Sequence, residues 1–257
     1  EELKAGVMRS VERLHREGYQ VVIVHGGGPF IRRALEAAGI ESEFIEGHRK
    51  TTVEALRHIE MALKGEVNGS LVSLLNRRGL RAVGLSGKDG RMVTARKRYH
   101  ESDSGEGIIR HDLGQVGDVE KVNTELLELL LRKGYLPVVT CLASDEEGND
   151  YNINGDMFAG HLAGALRADR YLVLTDVDGL MEDIKNPDSL ISNISLSDLD
   201  DLFGSVIKGG MIPKLESCQI ALEGGARSAA IINGTKPENI HEAATADKII
   251  GTQIQPA

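Results

Sequence analysis

Four apolar residues, Val21-Val22-Ile23-Val24, empty through His25 into Gly26-Gly27-Gly28 and Pro29, and no other stretch of the chain restricts the fold so narrowly. β-Branched residues in an unbroken run suit a strand covered on both faces, as in the parallel sheets of α/β proteins. Three glycines let the backbone come close to a ligand and aim its N–H groups at it. Pro29 fits the first turn of a helix running through Ala38, whose positive end would face the same point. An anion site is the sharp reading. A strand-to-helix turn that binds nothing uses the same residues, so the loop needs further support.

The rest of the chain repeats the pattern of short apolar runs alternating with helical periods, which predicts parallel strands joined by crossover helices. Helices are predicted from the start to Gly18, over Thr51–Leu63 and Val67–Arg77, over Asn123–Lys133 with Gly134 as its cap, and over Asp156–Leu166, Leu196–Phe203 and Met211–Leu222. Strands are predicted at Arg81–Leu85, Tyr135–Leu142, Tyr171–Thr175 and Ser228–Ile232, with a hairpin between Gly90 and Asp112. No Pro/Gly/Ser linker or repeat divides the chain, so two lobes would share one continuous sheet.

Composition removes several classes. With 257 residues the chain can build one large domain or two lobes. No apolar run approaches the roughly 20 residues that span a bilayer, and a net charge of -9 argues against general nucleic-acid binding. The two cysteines, Cys141 and Cys218, lack metal-ligand spacing; buried thiols of a cytoplasmic protein are expected.

Three further segments can carry chemistry. Tyr151-Asn152-Ile153-Asn154-Gly155-Asp156 puts two amides and a carboxylate where a helix begins, so Asp156 either caps that helix or turns inward as an organising charge. Thr175-Asp176-Val177-Asp178-Gly179 follows a strand at the edge where open α/β sheets bind ligands. It lacks the further oxygen ligands of a calcium loop. Lys208-Gly209-Gly210-Met211-Ile212-Pro213-Lys214 again sets glycines before a helix and adds two lysines, which suits phosphate as well as a solvated loop. Gly87-Lys88-Asp89 fails the Walker pattern, no G-x-G-x-x-G follows a strand, and neither H-E-x-x-H nor a serine elbow occurs. Glycine loops, an embedded carboxylate and lysines fit phosphoryl transfer, where catalysis is largely positioning and charge stabilisation.

Taken in order, Val24-His25-Gly26-Gly27-Gly28-Pro29, Gly47-His48-Arg49, Gly84-Leu85-Ser86-Gly87-Lys88-Asp89-Gly90, Asn152-Ile153-Asn154-Gly155-Asp156, Thr175-Asp176-Val177-Asp178-Gly179 and Gly209-Gly210-Met211-Ile212-Pro213-Lys214 resemble the acetylglutamate kinase branch of the amino acid kinase family over nearly the whole chain. The resemblance implies a three-layer αβα sandwich with a mainly parallel central sheet shared by two lobes. Residues 1–167 would bind the acyl amino acid and dimerise, and residues 168–257 would bind ATP. It assigns catalysis to Lys214, Asp156 and Gly27. The Gly27 and Gly28 amides hold the acceptor carboxylate and the phosphoryl group in flight. Arg49 grips the α-carboxylate, Asn152 the substrate's amino-acid part, Asp156 holds the catalytic lysines, and Lys214 neutralises the transferring group. Asp176, Val177, Asp178, Gly179, Leu180, Met181, Val206, Ile207 and Lys208 would line the nucleotide. Mg²⁺ would arrive with ATP, held by phosphates and water. A cytoplasmic homodimer or higher homo-oligomer, acting on N-acetyl-L-glutamate and ATP without nucleic acid or membrane, completes the expectation.

A carboxylate acceptor agrees with the residues, since a side-chain carboxyl with a pKa near ~4.3 is ionised at neutral pH and needs no general base. Two anions must still be brought together, which calls for lysines, glycine amides and helix ends. Glu1 stands beyond the family's opening strand with its Lys-x-Gly-Gly motif, so a truncated beginning is expected. His48-Arg49-Lys50-Thr51-Thr52 and Gly155 depart from the family's usual Leu-Arg-Val-Thr-Asp and alanine. Three readings stay open here. They are a kinase of N-acetylglutamate in arginine biosynthesis, a sister kinase acting on carrier-linked or acetylated aminoadipate in lysine biosynthesis, and a catalytically inactive ligand-sensing homologue.

Overall fold

The computed structural model describes residues 2–41, 43–45, 48–103, 105, 107–183, 186–199, 207, 209–246 and 249–255. The chain forms two compact units, one of Val22–Arg77 and Arg81–Phe158, the other of Glu1–Val21, Arg78–Leu80 and Ala159–Ala257. In the second unit, α1 (Glu2–Arg16) buries Met8, Val11 and Leu14 on one face. It lies so close to Pro237 that a Cβ on Gly6 would stand 2.7 Å from the proline ring, and Ser10 Oγ donates to the Pro237 carbonyl at 2.6 Å. These contacts tie α1 to the carboxyl-terminal segments, whereas a contiguous division at 167/168 groups it with the amino-terminal half.

In the first unit, β1 (Ile23–His25) leads to α2 (Gly28–Ala37), a short hairpin β2 (Glu43–Ile45) and β3 (His48–Lys50), and then a long helical run. That run comprises α3 (Val53–Glu60), a π-helical stretch Met61–Asn68 and α4 (Gly69–Asn76). The sequence predicts two helices broken at Lys64-Gly65-Glu66. Instead the wider π turn carries the helix through and turns Leu63, Val67 and Asn68 inward. Next come β4 (Ala82–Ser86), the long hairpin β5 (Val93–Asp103) and β6 (Ile108–Val122), α5 (Glu125–Arg132), β7 (Leu136–Thr140), β8 (Leu142–Ser144) and β9 (Asp150–Ile153). Strands β1, β7 and β4 form a parallel sheet in that order, while β5, β6, β9 and β8 close into a barrel. All five residues of β7 are buried, as a central strand covered on both faces requires. Tyr151-Asn152-Ile153, read from sequence as a helix entry, is strand β9.

Helix α6 (Gly155–Ala165) starts in the first unit and continues into the second. The second unit then holds β10 (Tyr171–Thr175), β11 (Asn193–Ser195), α7 (Met211–Glu223), β12 (Ala229–Asn233), α8 (Glu238–Thr245) and β13 (Thr252–Gln255). Its sheet runs β10-β12-β13-β11, with β10 parallel to β12 and β12 antiparallel to β13. Its core gathers Val173, Ile207, Leu215, Cys218, Ile231 and Ile254; each large side chain so buried contributes roughly 1.5–3 kcal/mol. The sequence implies one continuous sheet; the described ladders form one α/β sheet in each unit. Leu196–Asp198 is a single 3₁₀ turn, and residues 200–203 of the helix expected there lie outside the described residues.

Candidate active site

In the first unit, β1 ends beside β7, with His25 in register with Thr140. Gly27 is the N-cap of α2, and its carbonyl accepts from the Ile31 amide at 2.9 Å. A Cβ on Gly27 would meet Leu63 Cδ2 at 2.7 Å, so the loop is pressed against the π stretch. At Gly26 and Gly28 a Cβ would meet nothing within 4 Å, and both are exposed. One side of the loop is therefore wedged in place and the other is open. No side chain caps α2 and its first turn holds no acid.

The start of α6 meets the same loop, where a Cβ on Gly155 would stand 3.6 Å from the Gly26 nitrogen. Asn154, not Asp156, caps this helix, its Oδ1 accepting from the amides of Asp156 at 2.9 Å and Met157 at 3.2 Å. The field of Asp156 reaches Cys141, whose thiol is pushed up to about 12 by burial, with the carboxylate adding to the effect. A thiol so raised and so buried is an inert packing group. Asn152 sits half-buried on β9, in register with Leu142 of β8 and Val116 of β6. Lys88 ties this corner together by bridging Glu60 at 2.6 Å and Asp150 at 2.9 Å.

In the second unit, β10 delivers Thr175 to the segment Asp176–Met181, with Asp176 exposed. Asp178 Oδ1 accepts from Lys236 Nζ at 2.6 Å and Asn233 Nδ2 at 2.7 Å. The bonds from Lys236 and then Asn233 hold the Asp178 carboxyl below its ordinary value. At Gly179 φ is 152°, and a Cβ would stand 2.6 Å from Thr252 Oγ1. The same Thr252 hydroxyl accepts from the Leu180 amide at 2.7 Å. Leu180 and Ile207 are core side chains, 2% and 0% exposed, and the Leu180 backbone is engaged within the fold, its carbonyl accepting from the Ile191 amide at 2.9 Å.

Lys214 is the fourth residue of α7, behind Gly209 with φ 57° and the cap Gly210. Like α2, α7 begins with neither a capping side chain nor an acid in its first turn. By contrast α3, α5, α6 and α8 each carry an acid there. Ser217 Oγ donates to the Lys214 carbonyl at 2.7 Å and receives the Tyr171 hydroxyl at 3.1 Å, pinning this turn to β10.

Among the site residues read from sequence, Gly27, Gly28 and Asp156 belong to one corner of the first unit. Asp176–Met181 and Lys214 follow strand or glycine ends of the second. Arg49 lies on β3, but its side chain, like Gly47, Val206 and Lys208, falls outside what is described. Asn233 and Lys236, which bond Asp178, are not among the residues singled out from sequence. Their signal was a polar, glycine-containing turn, Asn233-Gly234-Thr235-Lys236, directly after the last buried strand, the same placement that singled out Asp176–Gly179.

The sequence profile of the amino acid kinase family matches residues 4–233. An acetylglutamate kinase from Methanocaldococcus jannaschii is 45% identical over 256 residues, covering 99% of this chain and 85% of that protein. One from Moorella thermoacetica is 43% identical over 257 residues, covering 99% and 86%. Among solved structures, an N-acetylglutamate synthase from Neisseria gonorrhoeae superimposes with a TM-score of 0.81 at 23% identity, covering 99% of this chain and 56% of that one; this likeness speaks to the fold alone. Strand-end glycine loops, uncapped helix starts and full-length relatives agree, and the chain belongs to the amino acid kinase family.

Proposed function

We propose that the chain is an acetylglutamate kinase, transferring the γ-phosphoryl group of ATP to the side-chain carboxylate of N-acetyl-L-glutamate to give an acyl phosphate in arginine biosynthesis. The observation that carries this is 45% identity to an acetylglutamate kinase across 99% of the chain. In this reading the lobe of residues 1–167 binds the acyl amino acid and residues 168–257 bind ATP. The acceptor is already an anion, so no side chain has to remove a proton. The work of the protein is to hold two anions in line while charge builds on the phosphoryl oxygens.

The Gly27 and Gly28 amides at the head of α2 hold the acceptor carboxylate and the transferring group. Arg49 offers a planar fork to the α-carboxylate, and Asn152 binds the amino-acid part. Asp156 orients the catalytic lysines, and Lys214 neutralises the phosphoryl group. Asp176, Val177, Asp178, Gly179, Leu180, Met181, Val206, Ile207 and Lys208 line the nucleotide. Among the described residues no group of three or more His, Cys, Asp or Glu is placed to hold a metal; magnesium enters as part of the Mg-ATP substrate, on its phosphates and water. No described helix is long and apolar enough to cross a membrane. The reading is completed by a cytoplasmic homodimer.

The test is ADP release from Mg-ATP with N-acetylglutamate, N-acetylaminoadipate or no acceptor, with hydroxylamine trapping any acyl phosphate. Turnover and a hydroxamate with N-acetylglutamate are expected. Turnover with aminoadipate alone would move the substrate, and ligand binding without turnover would favour a sensing role.

A further inference from the structure

The open face of the glycine loop is useful only if its amides point the right way, and the first unit contains a device that sets their direction. Asn68, at the end of the π stretch, is 2% exposed. Its Nδ2 lies 2.9 Å from the Val138 carbonyl of β7 and 2.9 Å from His25 Nε2. The remaining ring nitrogen, His25 Nδ1, lies 2.9 Å from the carbonyl of Gly26. An amide nitrogen only donates. Asn68 therefore spends one hydrogen on Val138 and the other on a bare Nε2, which places the ring hydrogen on Nδ1, where it is donated to Gly26. Room for Asn68 comes from Gly84 of β4, since a Cβ there would stand 2.1 Å from Asn68 Oδ1.

The Gly26–Gly27 peptide is trans, so its N–H points opposite to its carbonyl. Anchoring the Gly26 carbonyl on His25 fixes the direction of the Gly27 N–H. The carbonyl of Gly27 is held in turn by the Ile31 amide, and Leu63 and Val67 block rotation of the loop toward the helix, with a Gly27 Cβ at 2.7 and 3.2 Å from them. The π register supplies all three of these contacts, Leu63, Val67 and Asn68, from one stretch.

We infer that Asn68 and His25 are positioning residues that aim the Gly27 amide, with His25 working as the neutral Nδ1–H tautomer. This rests on the reading of Gly27 as an anion-binding amide. Neither side chain needs to touch substrate. Asn68→Leu and His25→Phe remove the relay, and His25→Gln keeps a group near Nε2 but none near Nδ1. His25→Asn keeps an amide N–H close to the place of Nδ1.

The experiment has two arms. In the first, the ring ¹⁵N shifts of His25 in the folded wild-type chain identify the tautomer, independently of any activity. Nδ1–H is expected, and Nε2–H would overturn the inference. In the second, steady-state kinetics with Mg-ATP and N-acetylglutamate compare the variants. kcat is expected to fall about tenfold or more in Asn68→Leu, His25→Phe and His25→Gln, the scale of a misaimed donor. KM for ATP should stay within about twofold, and His25→Asn should recover most of the loss. Equal kcat in His25→Asn and His25→Gln, or an undiminished kcat in all four, would overturn it. If Asn68→Leu does not fold, the His25 series carries the test. A wild type that is silent with N-acetylglutamate yet shows the Nδ1–H tautomer would count against the functional reading and leave the relay standing.

Discussion

Helix α2 behind Gly26-Gly27-Gly28 and helix α7 behind Gly209-Gly210 both follow a glycine loop and start without a capping side chain or a first-turn acid. They look alike in sequence and are built differently. At α2 the essential glycine is a packing glycine, because Gly27 has φ 173°, open to any residue, but no space for a Cβ beside Leu63. At α7 it is a conformational one, because Gly209 has φ 57° and nothing within 4 Å of a Cβ. The first loop is braced by buried side chains. The second depends on backbone freedom, and in the proposed reading its chemistry falls to Lys214. On that reading a rigid amide cradle and a lysine at a glycine-led turn are two solutions to the same electrostatic demand.

The largest effect expected is on the α7 side. Lys214→Ala should lower kcat by roughly 10²–10³, as removal of a principal charge stabiliser does, with thermal unfolding within a few degrees of wild type. Wild-type turnover in that variant would break the assignment of charge stabilisation to α7. At α2 a single change should damage activity and stability together, since Gly27→Ala forces Leu63 to move at a cost of about 1–3 kcal/mol. Gly28→Ala, facing open space, should leave the denaturation midpoint nearly unchanged; equal destabilisation by both would erase the contrast between the wedged and open sides. Gly209→Ala should cost about 1 kcal/mol through its left-handed backbone alone, and a Gly209→Asn variant should cost less.

The smallest effect concerns acid. Asp178 titrates below its ordinary value of 3.8 because Lys236 and Asn233 bond its carboxylate. A carboxyl lowered by folding adds stability that is present above the unfolded pKa and lost as pH falls through the folded one. Its side chain is 38% exposed, so solvent screens the pair and the effect is modest. Lys236→Met should therefore be slightly less stable than wild type near neutral pH, with the difference shrinking as pH falls through the folded-state pKa of Asp178 and vanishing below it. A difference that persists at the acid end would locate the loss in packing.

Local signals carried much of the fold. The period of α1 and the buried run of β7 were legible because pattern and burial agree there; β1, expected over 21–24 as a strand covered on both faces, is Ile23–His25, half-buried at the end of its described sheet. The π stretch was not, since Lys64-Gly65-Glu66 reads as a break; only the wall of Gly27 and the buried place of Asn68 show why the helix continues. Strand β9 carries its own signal, since Asp150-Tyr151-Asn152-Ile153 alternates polar and apolar and buries Tyr151 and Ile153, but four residues just ahead of a helix read equally as a turn until the barrel supplies β6 and β8 as partners. At the site, glycines and charges at strand ends could be picked out one by one. Asn154 taking the cap from Asp156 is a local choice between two capping residues two positions apart, which spacing alone leaves open, whereas Lys236 meeting Asp178 depends on a contact between segments that sequence spacing does not encode.

The central claim is a division of labour, with the α2 loop handling the acceptor and the segment after β10 handling the nucleotide. Amide hydrogen exchange of the wild-type chain tests it most directly, using N-acetylglutamate alone and then a non-hydrolysable ATP analogue with magnesium. The account predicts that the acyl amino acid slows exchange across residues 26–30 and leaves 176–181 unchanged, and that the nucleotide analogue slows exchange across 176–181. Protection of 176–181 by N-acetylglutamate, or none at 26–30, would contradict it.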